Sequence, residues 1–155
     1  ALIWFRSDAS HGMMAVLFIF GCVWAHDTFA MLTGKALRGP RLWPSLSPNK
    51  TWAGLAGGLV ASACLGVAFA QLLANERPLT MAAIGLALGV AAFVGDLLES
   101  ALKRRYGVKN ASNLIPGHGG FLDRMDGIVT AAIAAVGIAL LVNSASPAAG
   151  LLFLR

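Results

Sequence analysis

Four apolar segments, each long enough to cross a bilayer, constrain this chain more than any other feature of its sequence. Hydrophobic residues fill 57% of the 155 positions and charged residues only 12%, whereas a soluble domain carries about 25% charged residues. A helix rises about 1.5 Å per residue, so about 20 residues cross the hydrocarbon core. The sequence therefore predicts an all-α integral membrane protein with spans over residues 13–32, 54–73, 79–98 and 127–142.

The basic residues are concentrated in two of the loops between these spans. Four lie in the loop over residues 34–52 and five in the loop over residues 103–124, which is nine of the twelve in the chain. Two spans separate the loops, so both face one side, and the positive-inside rule predicts that this side is the cytoplasm. Both termini then lie outside. We expect a single transmembrane catalytic domain over residues 1–155, and the start at Ala1 rather than Met predicts that it belongs to a longer chain.

Acidic side chains lie at the end of the third span, although an acid near a helix centre costs about 2.5–3.5 kcal/mol on insertion scales. Asp96, Glu99 and Ser100 share one helical face, because they lie three or four residues apart. Lys103 follows Glu99 by four residues, which predicts an ion pair. Asp96 has no basic residue at such a spacing, so we predict a metal-binding or catalytic role for it.

The first span contains a further polar pair, His26 and Asp27. We interpret His26 as a packed, hydrogen-bonded histidine. Acids within apolar segments are usually functional or paired, so Asp27 is a candidate functional residue.

Two more acids, Asp123 and Asp126, lie three residues apart at the start of the fourth span. One acid would be enough to interact favourably with the N-terminus of that helix. Two acids on one face, with Asp96 opposite, form a better divalent-cation site, since Mg²⁺ prefers carboxylates and substrate phosphate oxygens.

A glycine-rich run, Pro-Gly-His-Gly-Gly over residues 116–120, precedes these acids. Gly119 and Gly120 free the backbone for close approach to an anion, and such loops present N–H groups to phosphates. His118 lies between the glycines. Basic residues on one side of the run and two acids on the other predict a site for a phosphate-rich substrate and a metal at the bilayer surface.

Residues 100–126 resemble the motif of the phosphatidate cytidylyltransferases, also called CDP-diacylglycerol synthases. The matching residues are Ser100, Leu102, Lys103, Arg104, Lys109, Ser112, Ile115, Pro116, His118, Gly119, Gly120, Phe121, Asp123, Arg124, Met125 and Asp126. Asp96 and Glu99 match ahead of this run, as do residues 47–52 (Ser-Pro-Asn-Lys-Thr-Trp) and a segment that begins at Asp27. The resemblance covers most of residues 27–127 and corresponds to the C-terminal catalytic half of the family's enzymes.

The resemblance implies transfer of a cytidylyl group from CTP to phosphatidate, which yields CDP-diacylglycerol and pyrophosphate in phospholipid biosynthesis. It implies Mg²⁺ as cofactor, with a possible second cation such as K⁺. The expected partners are CTP, phosphatidate taken from the bilayer, and membrane lipids, with a possible homodimer and no nucleic acid. The expected location is the bacterial inner membrane, with the active site facing the cytoplasm.

The resemblance also assigns roles to individual residues. Asp96, Asp123 and Asp126 are the expected metal ligands, and the expected catalytic residues are these three acids with Lys103 and His118. Substrate binding is assigned to Ser47, Lys50, Thr51, Ser100, Arg104, Lys109, Gly119, Gly120 and Arg124.

Three positions depart from the family pattern. Asn110 replaces an Asp, Asn49 replaces a Lys, and Ala53 replaces a Glu. The change at Asn110 removes a negative charge with little change of shape, so reduced activity is expected if that carboxylate binds metal or orients the substrate.

Three other functions are compatible with parts of the pattern. Asp123, Asp126 and Gly127 match the opening of the CDP-alcohol phosphotransferase motif, but no acid follows Asp126. A CTP-dependent polyprenol kinase would use a similar charge pattern. A transporter or lipid-binding subunit would use Asp27 and Asp96 as ion relays, and Mg²⁺-dependent CTP binding would distinguish it from an enzyme.

Overall fold

The computed structural model describes residues 1–44, 46–75, 77–106, 122–142 and 146–153, and within these ranges every side chain except those of residues 122–124. Its helices are α1 (Leu2–Arg6), α2 (Gly12–Leu37), α3 (Trp52–Leu72), α4 (Pro78–Arg105), α5 (Leu122–Val142) and α6 (Pro147–Phe153). Two short strands, β1 (Arg41–Trp43) and β2 (Ser47–Thr51), separate α2 from α3.

The four long helices confirm the predicted spans. The helices α2, α3, α4 and residues Met125–Val142 of α5 are long and apolar enough to cross a membrane, so the chain is an integral membrane protein. The helices α2 and α4 run several residues past the predicted boundaries at the basic end. The helix α4 continues through Lys103 to Arg105, and α2 ends before Arg38, whose left-handed backbone (φ 45°) terminates the helix.

Small residues bring the first three long helices close together. Ser62 of α3 is buried and donates a hydrogen bond of 3.0 Å to the carbonyl of Cys22 on α2. Gly66 of α3 packs directly against the backbone of Met81 on α4. Without a hydrophobic driving force between helices in lipid, this close backbone approach supplies the packing. Other apolar residues, among them Val60 and Leu141, lie exposed on the outer surface, whereas Phe18, Ile19 and Leu88 are buried in the core.

The loop over residues 34–52 contains an antiparallel hairpin that sequence reasoning did not predict. Arg41 pairs with Thr51, and Trp43 pairs with Ser47. The loop also contains Pro40, Pro44 and Pro48, which exclude a regular helix because proline lacks the backbone donor. Thr51 then caps α3, since its Oγ1 accepts from Gly54 N at 3.1 Å. Strand β2 is thereby anchored to the start of α3.

At the other end of the bundle, the two short helices close over the start of α2. The Ser146 hydroxyl donates a 2.7 Å hydrogen bond to Asp8, and the rings of His11 and Phe153 meet edge to face at 4.9 Å. The Asn75 side chain donates to the Leu152 carbonyl at 2.7 Å. The apolar residues Pro147–Phe153 form the seven-residue helix α6, which packs against the bundle.

Replacing Gly66 by Ala should destabilise the protein, because the added Cβ would lie 2.7 Å from the carbonyl carbon of Met81 and 2.9 Å from Ala82 Cα. Overpacking of this kind costs about 1–3 kcal/mol. Gly137→Ala is the control, since no described atom lies within 4 Å of its added Cβ. Thermal unfolding in detergent, followed by circular dichroism, should show a lower Tm for Gly66→Ala alone. Equal Tm values for the two variants would contradict this packing.

Replacing Ser146 by Ala should lower stability at neutral pH by up to about 1 kcal/mol. The hydrogen bond from Ser146 is the main cause that holds the pKa of Asp8 below its ordinary value. A lowered native pKa stabilises the folded state above about pH 4, and this contribution is lost as the pH falls through the native pKa. The difference from wild type should therefore shrink in acid.

Unfolding free energies measured from pH 7 downwards test this pH dependence. Ser7→Ala is the control, because the Ser7 hydroxyl donates to the Trp4 carbonyl rather than to a carboxylate, and its effect should not vary with pH. A Ser146→Ala deficit that stays constant down to the lowest pH at which the protein folds would show that Asp8 is not the partner that matters.

Candidate active site

A cavity of about 670 Å³ lies beside the hairpin, at the end of the bundle that carries the basic loops. Residues from α2, β2, α3 and α4 line it, and Phe93 and Leu55 form apolar parts of its wall. Its charged and hydroxyl side chains are Asp27, Lys35, Ser47, Lys50, Thr51 and Asp96. A polar cavity between apolar helices can bring a water-soluble ligand and a membrane lipid into one site.

Three carboxylates meet next to this cavity. Ligand oxygens of Asp96 and Glu99 on α4 and of Asp126 on α5 all lie within 4.8 Å of one another. Hard oxygen ligands of this kind suit a divalent cation such as Mg²⁺ or Ca²⁺. The carboxylates that the structure describes therefore fit a divalent-cation site.

A single glycine permits this meeting of α4 and α5. An ideal Cβ at Gly95 would lie 2.8 Å from the Thr130 Cγ2 atom and 2.9 Å from the Asp126 carbonyl oxygen. Thr130 is itself held in place, because its hydroxyl donates to the Asp126 carbonyl at 3.0 Å. Any larger residue at position 95 would therefore push apart the two helices that carry the acids.

Two lysines offset the charge of the three acids. Two unit charges of like sign repel by about 4 kcal/mol at 4 Å and an effective dielectric constant of 20, so the cluster needs counter-charge. Lys50 Nζ lies 2.5 Å from Asp96 Oδ2, and Lys103 Nζ lies 3.0 Å from Glu99 Oε1. These five side chains together carry a formal charge of one negative unit, which leaves the cluster attractive to a cation.

The ion pair predicted between Glu99 and Lys103 is present, and it does not remove Glu99 from the site. The carboxylate of Glu99 contacts Lys103 and also lies within the acid cluster. Sequence reasoning missed this second role, because the lysine four residues away was a sufficient explanation. The signal was the spacing of three residues from Asp96, which places both acids on one face of α4.

Lys50, predicted to bind substrate phosphate, is paired with Asp96 in the structure. Its ammonium also lies 4.7 Å from the centroid of the Phe93 ring, a distance at which a cation–π interaction contributes. The ring of His26, at 6.2 Å from Phe93, forms a deep part of the cavity lining and is 3% exposed. The predicted packing of His26 is thus present, although its Nδ1 has no hydrogen-bond partner among the described residues.

The structure brings together several of the residues that the sequence predicted for the site. Ser47, Lys50, Thr51 and Asp96 line the cavity, and Asp126 joins the cluster. Ser100 and Arg104 lie on α4, about one and two turns after Asp96.

The other predicted site residues fall in parts of the chain that the structure does not describe. Asp123 and Arg124 belong to the first turn of α5, but their side chains lie outside the described residues. Lys109, Asn110, His118, Gly119 and Gly120 lie outside the described residues altogether.

Four membrane-spanning helices with a carboxylate and lysine cluster at one end define an integral membrane protein with a polar site whose carboxylates fit a divalent cation. A model of the cytidylyltransferase family matches residues 1–142, which is most of the chain. The chain therefore belongs to the cytidylyltransferase family.

Curated relatives carry a more specific name. The chain is 43% identical to a phosphatidate cytidylyltransferase of Brucella abortus biovar 1 over 127 residues, which cover 82% of this chain and 47% of the relative. It is 39% identical to that of Haemophilus influenzae over 132 residues, 82% of this chain and 46% of the relative. It is 43% identical to that of Bacillus subtilis over 124 residues, 78% and 45%. The chain thus spans about half the length of the curated relatives it matches.

Replacing Gly95 by Ala should weaken cation binding by tenfold or more, because the added methyl separates α4 from α5 and breaks up the acid cluster. A change of tenfold corresponds to about 1.4 kcal/mol, which is within the cost of overpacking. Mn²⁺ binding to the full-length protein in detergent, followed by electron paramagnetic resonance of the free ion, measures the affinity.

Adding Thr130→Ala should restore part of that affinity, since it removes Oγ1 and Cγ2 of Thr130, the two atoms closest to the new methyl. Gly137→Ala on the same helix as Asp126 should leave Mn²⁺ affinity unchanged. If Gly95→Ala bound Mn²⁺ as tightly as wild type, the crossing at Gly95 would not hold the cluster together.

Proposed function

We propose that this chain transfers the cytidylyl group of CTP to phosphatidate, giving CDP-diacylglycerol and pyrophosphate. The observation that supports this most is the cluster of three acids and two lysines beside a cavity within the membrane bundle. The relatives named phosphatidate cytidylyltransferase, at 39–43% identity, give the reaction its specific form.

The reaction needs charge compensation more than a base. A phosphate oxygen of phosphatidate, already anionic at neutral pH, attacks the α-phosphorus of CTP, and a new P–O bond forms. The bond between the α-phosphorus and the oxygen that bridges to the β-phosphorus breaks, and pyrophosphate leaves with its electron pair. Such a reaction is accelerated by alignment of the two anions and by neutralisation of their charge.

The acids Asp96, Glu99 and Asp126 would hold Mg²⁺, and Asp123 is the further ligand that the sequence predicts. A bound Mg²⁺ supplies positive charge to phosphate oxygens and orients the substrate and leaving group. A second cation such as K⁺ belongs to the same proposal, because Asp27 adds a carboxylate to the cavity lining beside that of Asp96.

The basic and hydroxyl side chains around the cavity would bind the phosphates. Lys50 with Ser47 and Thr51 forms one group on β2, and Lys103 with Ser100 and Arg104 forms another on α4. A guanidinium binds phosphate in a bidentate manner and an ammonium as a point charge. Further proposed phosphate-binding residues are Lys109, Gly119 and Gly120, between α4 and α5 in the sequence, and Arg124 in the first turn of α5. His118 is a proposed catalytic residue.

The location of the cavity suits a lipid substrate. It opens among apolar helices, so phosphatidate could enter from the bilayer while its headgroup reaches the charged end. The proposed orientation has both basic loops on the cytoplasmic side of a bacterial inner membrane, where CTP is available. The proposal also includes the homodimer that was given among the expected partners.

Asp96→Asn and Asp126→Asn should each lower cytidylyl transfer by about 100-fold or more, since each removes a charged ligand from the cation site. The assay follows labelled CTP into CDP-diacylglycerol with purified full-length protein, phosphatidate and Mg²⁺. Asp8→Asn is the matched control, because Asp8 lies at the other end of the bundle, and it should retain wild-type activity.

Asn110→Asp should match or exceed wild type in the same assay, since it restores the residue of the family pattern. The assigned roles of these acids would be refuted if the wild-type protein converts CTP and the Asp96→Asn and Asp126→Asn variants keep more than about a tenth of its rate.

A further inference from the structure

We propose that Lys50 is a counter-ion built into the cation site: it occupies Asp96 until a divalent cation binds, and it then leaves and frees the β1–β2 hairpin from α4. The inference rests on the proposed function, because it takes the acid cluster to be a metal site. It adds an order of events, in which the cation binds before the phosphates of the substrate.

The Lys50 side chain is more buried and more closely paired than expected for a lysine that only binds a soluble ligand. Its side chain is only 18% exposed, whereas that of Asp96 is 46% exposed, and the two lie 2.5 Å apart. The ring of Phe93 covers the ammonium at 4.7 Å. Lys50 is therefore committed to α4 in this state and is not available to bind a phosphate.

The two lysines at the cluster differ in what they connect. Lys103 lies on the same helix as its partner Glu99, four residues away, so that ion pair lies within α4. Lys50 comes from β2 and joins it to α4. In the described part of the chain this is the ion pair that ties the hairpin to a helix.

A divalent cation and Lys50 compete for the same carboxylate. Asp96 Oδ2 is the partner of Lys50, and Asp96 also supplies an oxygen to the cluster of three acids. Once a divalent cation takes these oxygens, the cluster loses its excess negative charge, and the ammonium is repelled at short range. Lys50 then has no counter-charge at Asp96 to keep it there.

The cavity offers Lys50 a second location. Ser47 and Thr51, on either side of it along β2, line the cavity together with Lys35. A released ammonium would add its charge to these groups and make a phosphate-binding surface. The positive potential of the cavity would rise only after the cation is bound, which sets the order of binding.

Replacing Lys50 by Met tests the competition, since Met keeps an unbranched chain and removes the charge. Mn²⁺ titration of the full-length protein in detergent, without nucleotide or phosphatidate, should show affinity raised about tenfold over wild type, because no ion pair has to be separated. Lys35→Met makes the same charge change in the same cavity, without an ion pair in the described residues, and should alter affinity less than about threefold.

A second control keeps this test decisive if loss of Lys50 disturbs folding. Lys50→Arg keeps the charge and should bind Mn²⁺ no more tightly than wild type. Mn²⁺ affinity that is equal or weaker in a folded Lys50→Met variant would overturn the proposal, as would equal gains in Lys50→Met and Lys35→Met.

A distance measurement tests the release of the hairpin independently. Spin labels at Trp43 on β1 and Leu102 on α4, both more than half exposed, would be placed in a background with Cys64→Ser. Adding Mg²⁺ should lengthen or broaden the distance distribution in wild type and leave it unchanged in Lys50→Met. A distribution in wild type that Mg²⁺ does not alter, at saturating concentration, would overturn the proposal.

Neither readout requires catalysis, so the two proposals can fail separately. Absence of cytidylyl transfer with the predicted Mn²⁺ and distance changes would refute the proposed function alone. Normal transfer without these changes would refute the role of Lys50 alone.

Discussion

The close approach of three carboxylates on two membrane helices is the constraint on which the other features of the site depend. Asp96, Glu99 and Asp126 offer oxygens within 4.8 Å of one another, in a bundle whose surroundings are apolar. Charges in such a place must be paired or bind a cation. The two lysine pairs, the glycine at the crossing of α4 and α5, and the position of the hairpin are all consistent with that requirement.

The backbone of the bundle positions the charged residues of the site in two ways. Gly95 lets α4 and α5 approach closely enough for their acids to meet, and no side chain larger than hydrogen fits between Gly95 and Thr130. Thr51 caps α3 and ends β2, so the residue before it, Lys50, lies next to the start of α3, from where its side chain reaches Asp96 on α4. Asp96, which pairs with Lys50 when no cation is bound, is also one of the expected cation ligands.

The sequence predicted the fold well, because length and hydropathy alone identify membrane spans. It also identified Asp96 and Asp126 as members of one site. The contact between Lys50 and Asp96 could not be predicted, since 46 positions separate the two residues and no helical or strand spacing relates them. The hairpin was missed because its strands are short and interrupted by prolines. Glu99 was assigned to Lys103 because a local pair explained it, although it also lies in the cluster.

Following the α- and γ-phosphates of CTP separately tests most directly the claim that the chain transfers a cytidylyl group. Full-length protein would be incubated with Mg²⁺, phosphatidate and CTP that carries distinguishable radiolabels on its α- and γ-phosphates. Cytidylyl transfer predicts the α-label in the lipid extract and the γ-label in pyrophosphate. Recovery of the γ-label in a lipid would indicate a kinase instead, and recovery of neither label in lipid, with CTP and cation bound, would contradict transfer altogether.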